Sequence, residues 1–309
     1  MACRKLSFLI PAHNEGKIIG RTLDALSRLP YSSYEVLIGL DGCTDNTEKI
    51  VREYADQSDT IRYYALSLRK GKPAVIDALM KHATGDIVII NDADWVFRVN
   101  NKDSLEQFLS VFDDATVGGI AEAYPVEWDE ALLGTGNWVF RMIAVTSYEW
   151  FEFQKRKFTV NEGNKLFVTT PMMFLTNIFR RELYRPNSTL GDDFERTYEL
   201  HHLGKRIVLF PDMEMPRMIS TYNTVRLRDL FRQKIRTARA RTQLHTLEHP
   251  VPPSYLVAST LFIFLRSWKH GLFHGILASG WIMLNIFATI RAKFKMVDTQ
   301  KGWLLRVER

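Results

Sequence analysis

The feature that most narrows what this chain can become is an alternation in its first half. Short runs rich in Ile, Val and Leu occur at Leu6–Ile10, Glu35–Leu40, Ile61–Leu66 and Asp86–Asn91. Helical periodicity follows them at Lys17–Leu29, Asp45–Tyr54, Lys72–His82 and Asp103–Phe112. A strand that is apolar along its length, and not only at every second residue, has to be covered on both faces. A helix between successive strands returns the chain so that they lie parallel. The chain therefore reads as α/β, a Rossmann-like and mostly parallel central sheet covered by helices. The run at Leu6–Ile10 is too short for a signal-peptide core and lacks a cleavage site, so it reads as a buried first strand. Hydrophobic residues at 46% and charged residues at 25% exclude a disordered chain.

In an open parallel sheet the ligand sits beyond the carboxyl ends of the strands, so the polar residues there come first. Asp41-Gly42-Cys43-Thr44-Asp45 follows the second run, and Asp92-Ala93-Asp94 follows the fourth. Each has a local reading: Asp-Gly is a common turn, Asp45 can cap the next helix, and Asp92 can form a turn. Two carboxylates two residues apart after a buried strand also project into the crevice. Hard divalent cations such as Mg²⁺ take carboxylate oxygens and keep positions open for phosphate oxygens. There is no Gly-x-Gly-x-x-Gly after the first strand, which disfavours a dinucleotide oxidoreductase.

The second half is different in character. From Gly134 to Phe158 the chain is aromatic, closing on Lys155, Arg156 and Lys157. A helix over 137–158 can lie against a membrane interface or form the core helix of an insertion, and the sequence leaves both open. Arg226–Thr242 reads as a basic amphipathic helix. After the Pro250–Pro253 break, Tyr255–Leu265 is too short to span a bilayer, which needs roughly 20 residues. Leu272–Ile290 is uncharged and just long enough. Bases flank it on both sides, with Arg266 and Lys269 before it and Arg291, Lys293 and Lys295 after it. That symmetry fits a span, a hairpin in one leaflet, or a soluble helical pair. The net charge of +6 is concentrated in this region, and the rest of the chain is slightly acidic. Local basicity of this kind implies phosphates or a lipid surface. Nucleic acid is not expected, because the basic zone is interleaved with apolar runs and carries no known module. Cys3 and Cys43 form no framework, which fits a reducing compartment. His245 and His249, and His201-His202, do not make a zinc pattern.

The order Ile10-Pro11-Ala12-His13-Asn14-Glu15, Leu40-Asp41-Gly42-Cys43-Thr44-Asp45, Gly71-Lys72 and Asp92-Ala93-Asp94 resembles glycosyltransferase family 2, of GT-A fold. Cys43 stands where that family usually has Ser. The resemblance implies that Pro11, Ala12, Glu15 and Asp41 line a nucleoside pocket, with Lys72 near the nucleotide. By the same resemblance Asp92 helps hold the nucleotide and Asp94 binds the metal, Mg²⁺ or Mn²⁺. Gly191-Asp192-Asp193-Phe194-Glu195 matches the family's acidic pair, which places the general base on Asp193; capping of the next helix is the local alternative. Gln233-Lys234-Ile235-Arg236-Thr237 resembles Gln-x-x-Arg-Trp, with Arg236 suited to a diphosphate and Thr237 in place of Trp. A surface base on an amphipathic helix is the other reading of Arg236. Asp192, Arg180 and Gln233 fall on the acceptor side.

The resemblance thus implies an inverting, metal-dependent transferase taking a sugar from a UDP- or GDP-linked donor to a lipid-linked or glycan acceptor. The expected location is the cell membrane, with the catalytic part on the cytoplasmic side. Residues 1–220 would form the catalytic domain and 221–309 a helical, membrane-associated region. The alternatives are a polysaccharide synthase of the same family and a non-catalytic nucleotide- or lipid-binding membrane adaptor.

Overall fold

Six of the seven residues of β1, Leu6–Ala12, are buried, which requires cover on both faces of the strand. The computed structural model, which describes residues 4–123, 134–171, 173–187, 189, 191–220, 224–246 and 251–294, supplies that cover. Chain order runs β1, α1 (Ile19–Ser27), β2 (Tyr34–Asp41), α2 (Thr47–Ala55), β3 (Ile61–Leu66), α3 (Lys72–Met80) and β4 (Ile87–Ile90). Then come β5 (Trp95–Arg98), α4 (Lys102–Ser110), β6 (Val117–Ala121), α5 (Trp138–Lys157), β7 (Thr159–Glu162), β8 (Lys165–Val168) and β9 (Ile178–Arg180). The described chain closes with α6 (Asp192–His202), β10 (Arg206–Leu209), β11 (Arg217–Ser220), α7 (Leu227–Thr246), α8 (Pro253–Lys269) and α9 (Leu272–Phe294).

Nine strands form one sheet in the order β3-β2-β1-β4-β9-β6-β10-β8-β7. The pairs β3–β2, β2–β1, β1–β4 and β6–β10 are parallel, as the alternation predicts. The short β9 inserts antiparallel between β4 and β6, and β8 and β7 continue antiparallel at the far edge. A separate ribbon pairs β5 with β11. The sheet separates two apolar layers. Phe8, Leu23, Val36, Phe97 and Phe108 lie on one side, while Leu9, Leu37, Val75, Leu79 and Phe179 lie on the other. The fit of α3 is close enough that a Cβ on Gly39 of β2 would sit 2.2 Å from Val75 Cγ1.

The lower end of the sheet carries a buried polar staple. Glu35 accepts from Ser7 Oγ at 2.6 Å and from the Thr84 amide at 2.7 Å, and pairs with Arg62. Burial alone would raise its pKa, but these hydrogen bonds outweigh that and hold it at about 2.

α5, α7, α8 and α9 form a helical layer beside this sheet. Phe140, Met142 and Val145 of α5 pack with Leu230 of α7 and Leu277 of α9. Eleven of the twenty residues of α5 are buried, Phe140, Phe151 and Phe153 among them, while Trp138 is 56% exposed. Trp150 Nε1 donates to Tyr255 Oη at 2.9 Å, and Tyr255 donates to Gln154 Oε1 at 2.9 Å, which ties α5 to α8. The outer faces of α8 and α9 are apolar and exposed, with Val257, Leu261, Ile276 and Met283 all above half exposure. Among the described residues one helix, Leu272–Lys293, is long and apolar enough to cross a membrane by length and composition. Cys3, His249 and the chain from Lys295 onward lie outside the described residues, as does the side chain of His245.

Candidate active site

The carboxyl ends of the parallel strands open into one cavity of about 640 Å³. Its floor begins at β1, where Pro11 and Ala12 end the strand and Glu15 follows. Asn14 adopts the left-handed conformation at φ 57°. Its Oδ1 accepts from the Thr44 amide at 2.7 Å, which joins the turn after β1 to the turn after β2. Asp45 is used locally: its Oδ1 accepts from the Thr47 amide at 2.9 Å and its Oδ2 from the Gly16 amide at 3.1 Å. That is a local turn just before α2, whose N-cap residue is Asn46.

Asp41 ends β2, and its two carboxylate oxygens accept from the amides of Lys70 at 2.6 Å and Gly71 at 2.9 Å. The carboxylate therefore shapes the loop leading to α3. Gly71 lies at φ +90°, a conformation only glycine adopts without strain, and delivers Lys72 as the first residue of the helix. Lys72 is 9% exposed, with its Nζ 2.8 Å from Asp92 and 3.6 Å from Asp192. Burial would lower its pKa, but Asp192, Asp92 and Asp193 prevail and raise it, so the ammonium is fixed in its charged form.

Asp92, Ala93 and Asp94 follow β4 at the centre of the opening, and all three line the cavity. Opposite them α6 begins with Asp192 and Asp193, two carboxylates at the positive end of a helix. Their environments diverge. Asp192 is 1% exposed, lies between Lys72 and Arg196, and its pKa is lowered because those cations outweigh its burial. Asp193 faces the cavity, and its pKa is raised to about 6 by burial and then by the Asp192 charge. A carboxylate held near 6 is mostly ionised at neutral pH and still basic enough to take a proton.

A further carboxylate adjoins this group. Glu122, just after β6, is partly buried and accepts from Asn177 Nδ2 at 2.6 Å. Burial, then the Asp193 and Asp92 charges, push its pKa up to about 8. Asn177 in turn accepts from Arg196 Nη1 at 2.7 Å. One network therefore runs from Glu122 through Asn177 and Arg196 to Asp192, Lys72 and Asp92. The sequence carried a signal for Glu122, an acid after a strand, but the Gly118-Gly119 start of β6 hid the strand.

From the opposite wall α7 turns Gln233, Arg236 and Thr237 into the same cavity. Burial lowers the Arg236 pKa to about 10 against the pull of Asp92, Asp193 and Asp192, so it stays cationic at neutral pH. The structure thus brings together Pro11, Ala12, Glu15, Asp41, Lys72, Asp92, Asp94, Asp193, Gln233 and Arg236. It does not bring Arg180 there. Arg180 donates to the carbonyls of Val117, Phe112 and Asp114, and in the register of β9 it stands opposite Ile87, at the end of β4 remote from Asp92. Asp192 is not among the residues lining the cavity; it lies behind them as the partner of Lys72 and Arg196.

Among the described residues no three His, Cys, Asp or Glu side chains form a group able to hold a metal by themselves. Asp92, engaged by Lys72, and Asp94 both line the cavity with carboxylate oxygens. That donor set fits an ion that also draws on diphosphate oxygens and water, as Mg²⁺ and Mn²⁺ do.

The family model described as "Glycosyl transferase family 2" matches residues 7–184 of this chain. Among curated relatives, the probable glycosyltransferase YdaM of Bacillus subtilis (strain 168) is 26% identical over 220 residues, 67% of this chain and 49% of its own length. The dolichyl-phosphate beta-glucosyltransferase ALG5C of Trichomonas vaginalis is 31% identical over 109 residues, 33% of this chain and 32% of its own. The chain thus spans about half or less of the length of these relatives. Among solved structures, the mannosyltransferase PcManGT from Pyrobaculum calidifontis, in complex with GDP-Man and Mn²⁺, aligns with a TM-score of 0.56 at 19% identity. That alignment covers 95% of this chain and 76% of PcManGT.

Proposed function

The chain belongs to glycosyl transferase family 2, and from that premise we propose that it is a glycosyltransferase carrying out a metal-dependent, inverting transfer from a nucleoside diphosphate sugar. The donor is a UDP- or GDP-linked sugar, and the acceptor is a hydroxyl of a lipid-linked or glycan substrate met at a membrane surface. The observation that carries the reading is the opposition of two electrostatic environments across one cavity. Lys72 and Arg236 offer positive charge where Asp92 and Asp94 end β4, while Asp193 keeps a raised pKa on the facing helix.

Each side suits one half of a displacement. The acceptor oxygen forms its bond to the anomeric carbon as the bond from that carbon to the diphosphate oxygen breaks. The acceptor proton passes to Asp193, and the electron pair leaves with the nucleoside diphosphate. Lys72 and the Arg236 guanidinium offset the charge that develops on the leaving group. A divalent cation at Asp94, Mg²⁺ or Mn²⁺, would supply further charge compensation there. Pro11, Ala12, Glu15 and the loop shaped by Asp41 flank the space for the nucleoside. PcManGT is solved with GDP-Man and Mn²⁺, and a donor of that chemical kind is what we carry over to this chain.

The exposed apolar faces of α8 and α9, and the basic residues around them, support placing the acceptor at a membrane, with the sheet on the cytoplasmic side. The test is release of nucleoside diphosphate from a panel of UDP-, GDP- and TDP-sugars with added lipid extract and Mn²⁺. Asp94→Asn is expected to abolish the metal-dependent signal. If no donor gave metal-dependent release, while Mn²⁺ with nucleoside diphosphate left the melting temperature unmoved, a non-catalytic adaptor would be the better description.

A further inference from the structure

The cavity does not end at the carboxylates. It continues along α7 between α8 and α9, and its chemistry changes there. Lys234 and Arg241, two turns apart on one face of α7, both line this limb together with Tyr255 and Asn285. The rest of the lining from these helices is mostly apolar, with Ile263 from α8 and Trp281, Ile282, Ile286 and Ile290 from α9, interrupted by the hydroxyls of Ser259, Thr260 and Thr289.

The two cations are costly where they stand. Lys234 Nζ sits 5.0 Å from the centroid of the Trp281 ring. Its pKa falls to about 8 through burial and then through repulsion by Arg241. The Arg241 pKa is also lowered by burial, with only the Tyr255 hydroxyl acting the other way, and its Nε is buried without a hydrogen-bond partner. Among the described residues no carboxylate pairs with either. Like charges sharing a half-buried cavity without a counterion oppose folding, so an anion bound between them would relieve both burial and repulsion.

The walls narrow what that anion carries. A free phosphate would need only the cations. This limb instead leads to apolar side chains on two helices whose outer faces expose Val257, Leu261, Ile276, Met283 and Phe287. Exposed apolar surface on that scale, next to a cationic throat, suits an amphiphile with an anionic head and a hydrocarbon tail.

We propose that Lys234 and Arg241 bind the phosphate headgroup of an anionic lipid whose hydrocarbon chain lies between α8 and α9, and that a hydroxyl of this headgroup is the acceptor, its proton passing to Asp193. The acceptor role rests on the transfer reading above, whereas the lipid-phosphate site does not. Arg236, which lies between them along α7 and feels the charges of Asp92, Asp193 and Asp192, stays with the donor diphosphate, so the two phosphate-binding positions share α7 and face one reaction space.

The test is calorimetric titration of the full chain, in nonionic detergent, with dodecyl phosphate, dodecanol and inorganic phosphate. Dodecyl phosphate is expected to bind at least about tenfold tighter than either control. Lys234→Gln and Arg241→Gln should each weaken it roughly tenfold, the weight of one charge-assisted contact. Lys234→Arg should keep most of the affinity. Mn²⁺-dependent nucleoside diphosphate binding by all three variants should match the parent chain, which also reports that they are folded. Equal affinity for dodecanol would reduce the site to a greasy groove, and equal affinity for inorganic phosphate would make it a plain anion site; either result overturns the proposal. Glutamine variants that bind like the parent overturn it too. Dodecyl phosphate binding by a chain that binds no nucleoside diphosphate would sink the transfer reading and leave the lipid site standing.

Discussion

Replacing Asp193 by Asn tests two consequences of one environment. The carboxylate is held near pKa 6 from an ordinary 3.8, about two pH units, because burial and the Asp192 charge disfavour its ionised form. In free energy that is of the order of 3 kcal/mol, which the cavity solvent reduces to about 1–3 kcal/mol. Because the folded-state pKa lies above the unfolded one, the folded chain holds the proton more tightly between about pH 4 and pH 6. Stability from this group is therefore highest below 3.8 and falls as pH rises through 6, where the buried charge is fully formed. An amide imitates the neutral acid. Asp193→Asn should gain about 1–3 kcal/mol over the parent chain in urea unfolding at pH 7.5, and the gain should vanish near pH 4. It should also lose the acceptor's proton sink and slow turnover by about 10²–10⁴-fold in a nucleoside diphosphate release assay. In the parent chain the acid limb of kcat/KM should fall near pH 6. A variant that retained full turnover would refute the base. One that lost turnover but was no more stable at pH 7.5 than the parent would refute the buried-charge account, leaving Asp193 a packing or binding role.

Other expectations follow from neighbouring contacts. Lys72→Met leaves Asp192, 1% exposed, with Arg196 as its remaining cation, and should cost about 3–5 kcal/mol in urea unfolding together with most nucleoside diphosphate affinity by calorimetry. Gly39→Ala forces a Cβ to within 2.2 Å of Val75 Cγ1, and overpacking of this kind should cost about 1–3 kcal/mol, read as a lower melting temperature. Mn²⁺ and a nucleoside diphosphate together should raise the melting temperature more than the sum of each alone, because Asp94 supplies only part of a cation's ligands; strictly additive shifts would argue against a shared site. Glu122 holds its proton to about pH 8, so Glu122→Gln should keep turnover within a few-fold at pH 7, match the parent in stability near pH 4 and gain over it as pH rises towards about 8, measured by urea unfolding at pH 4 and pH 9.

Where the sequence was legible, one physical rule made it so. An apolar strand covered on both faces, ending in acids, announces both a parallel sheet and the side on which ligands bind, and β1 to β4 with Asp41, Asp92 and Asp94 lie as that rule requires. The fit of α7 was legible in the same way, since a strip of residues at helical spacing puts Gln233, Arg236 and Thr237 on one face. The rule turned over at β9, where the chain runs against its neighbours. Three residues, Ile178–Arg180, are too few to show a period, so nothing in the sequence marks the reversal. In a parallel strand the residues after the strand reach the ligand, but in an antiparallel insert the residues before it do. Arg180, after the core of β9, therefore falls at the remote end of the sheet and clamps carbonyls there. Thr176 and Asn177, before β9, arrive instead at the active end, where Asn177 joins Glu122 to Arg196 and Thr176 receives the Thr197 hydroxyl. Asn177, which holds the Arg196 guanidinium beside Asp192, thus comes from a segment whose functional end can be identified only once its direction in the sheet is known. The same reasoning that places Arg180 outside the site places Asn177 inside it, as the link through which Glu122 is coupled to the carboxylate pair.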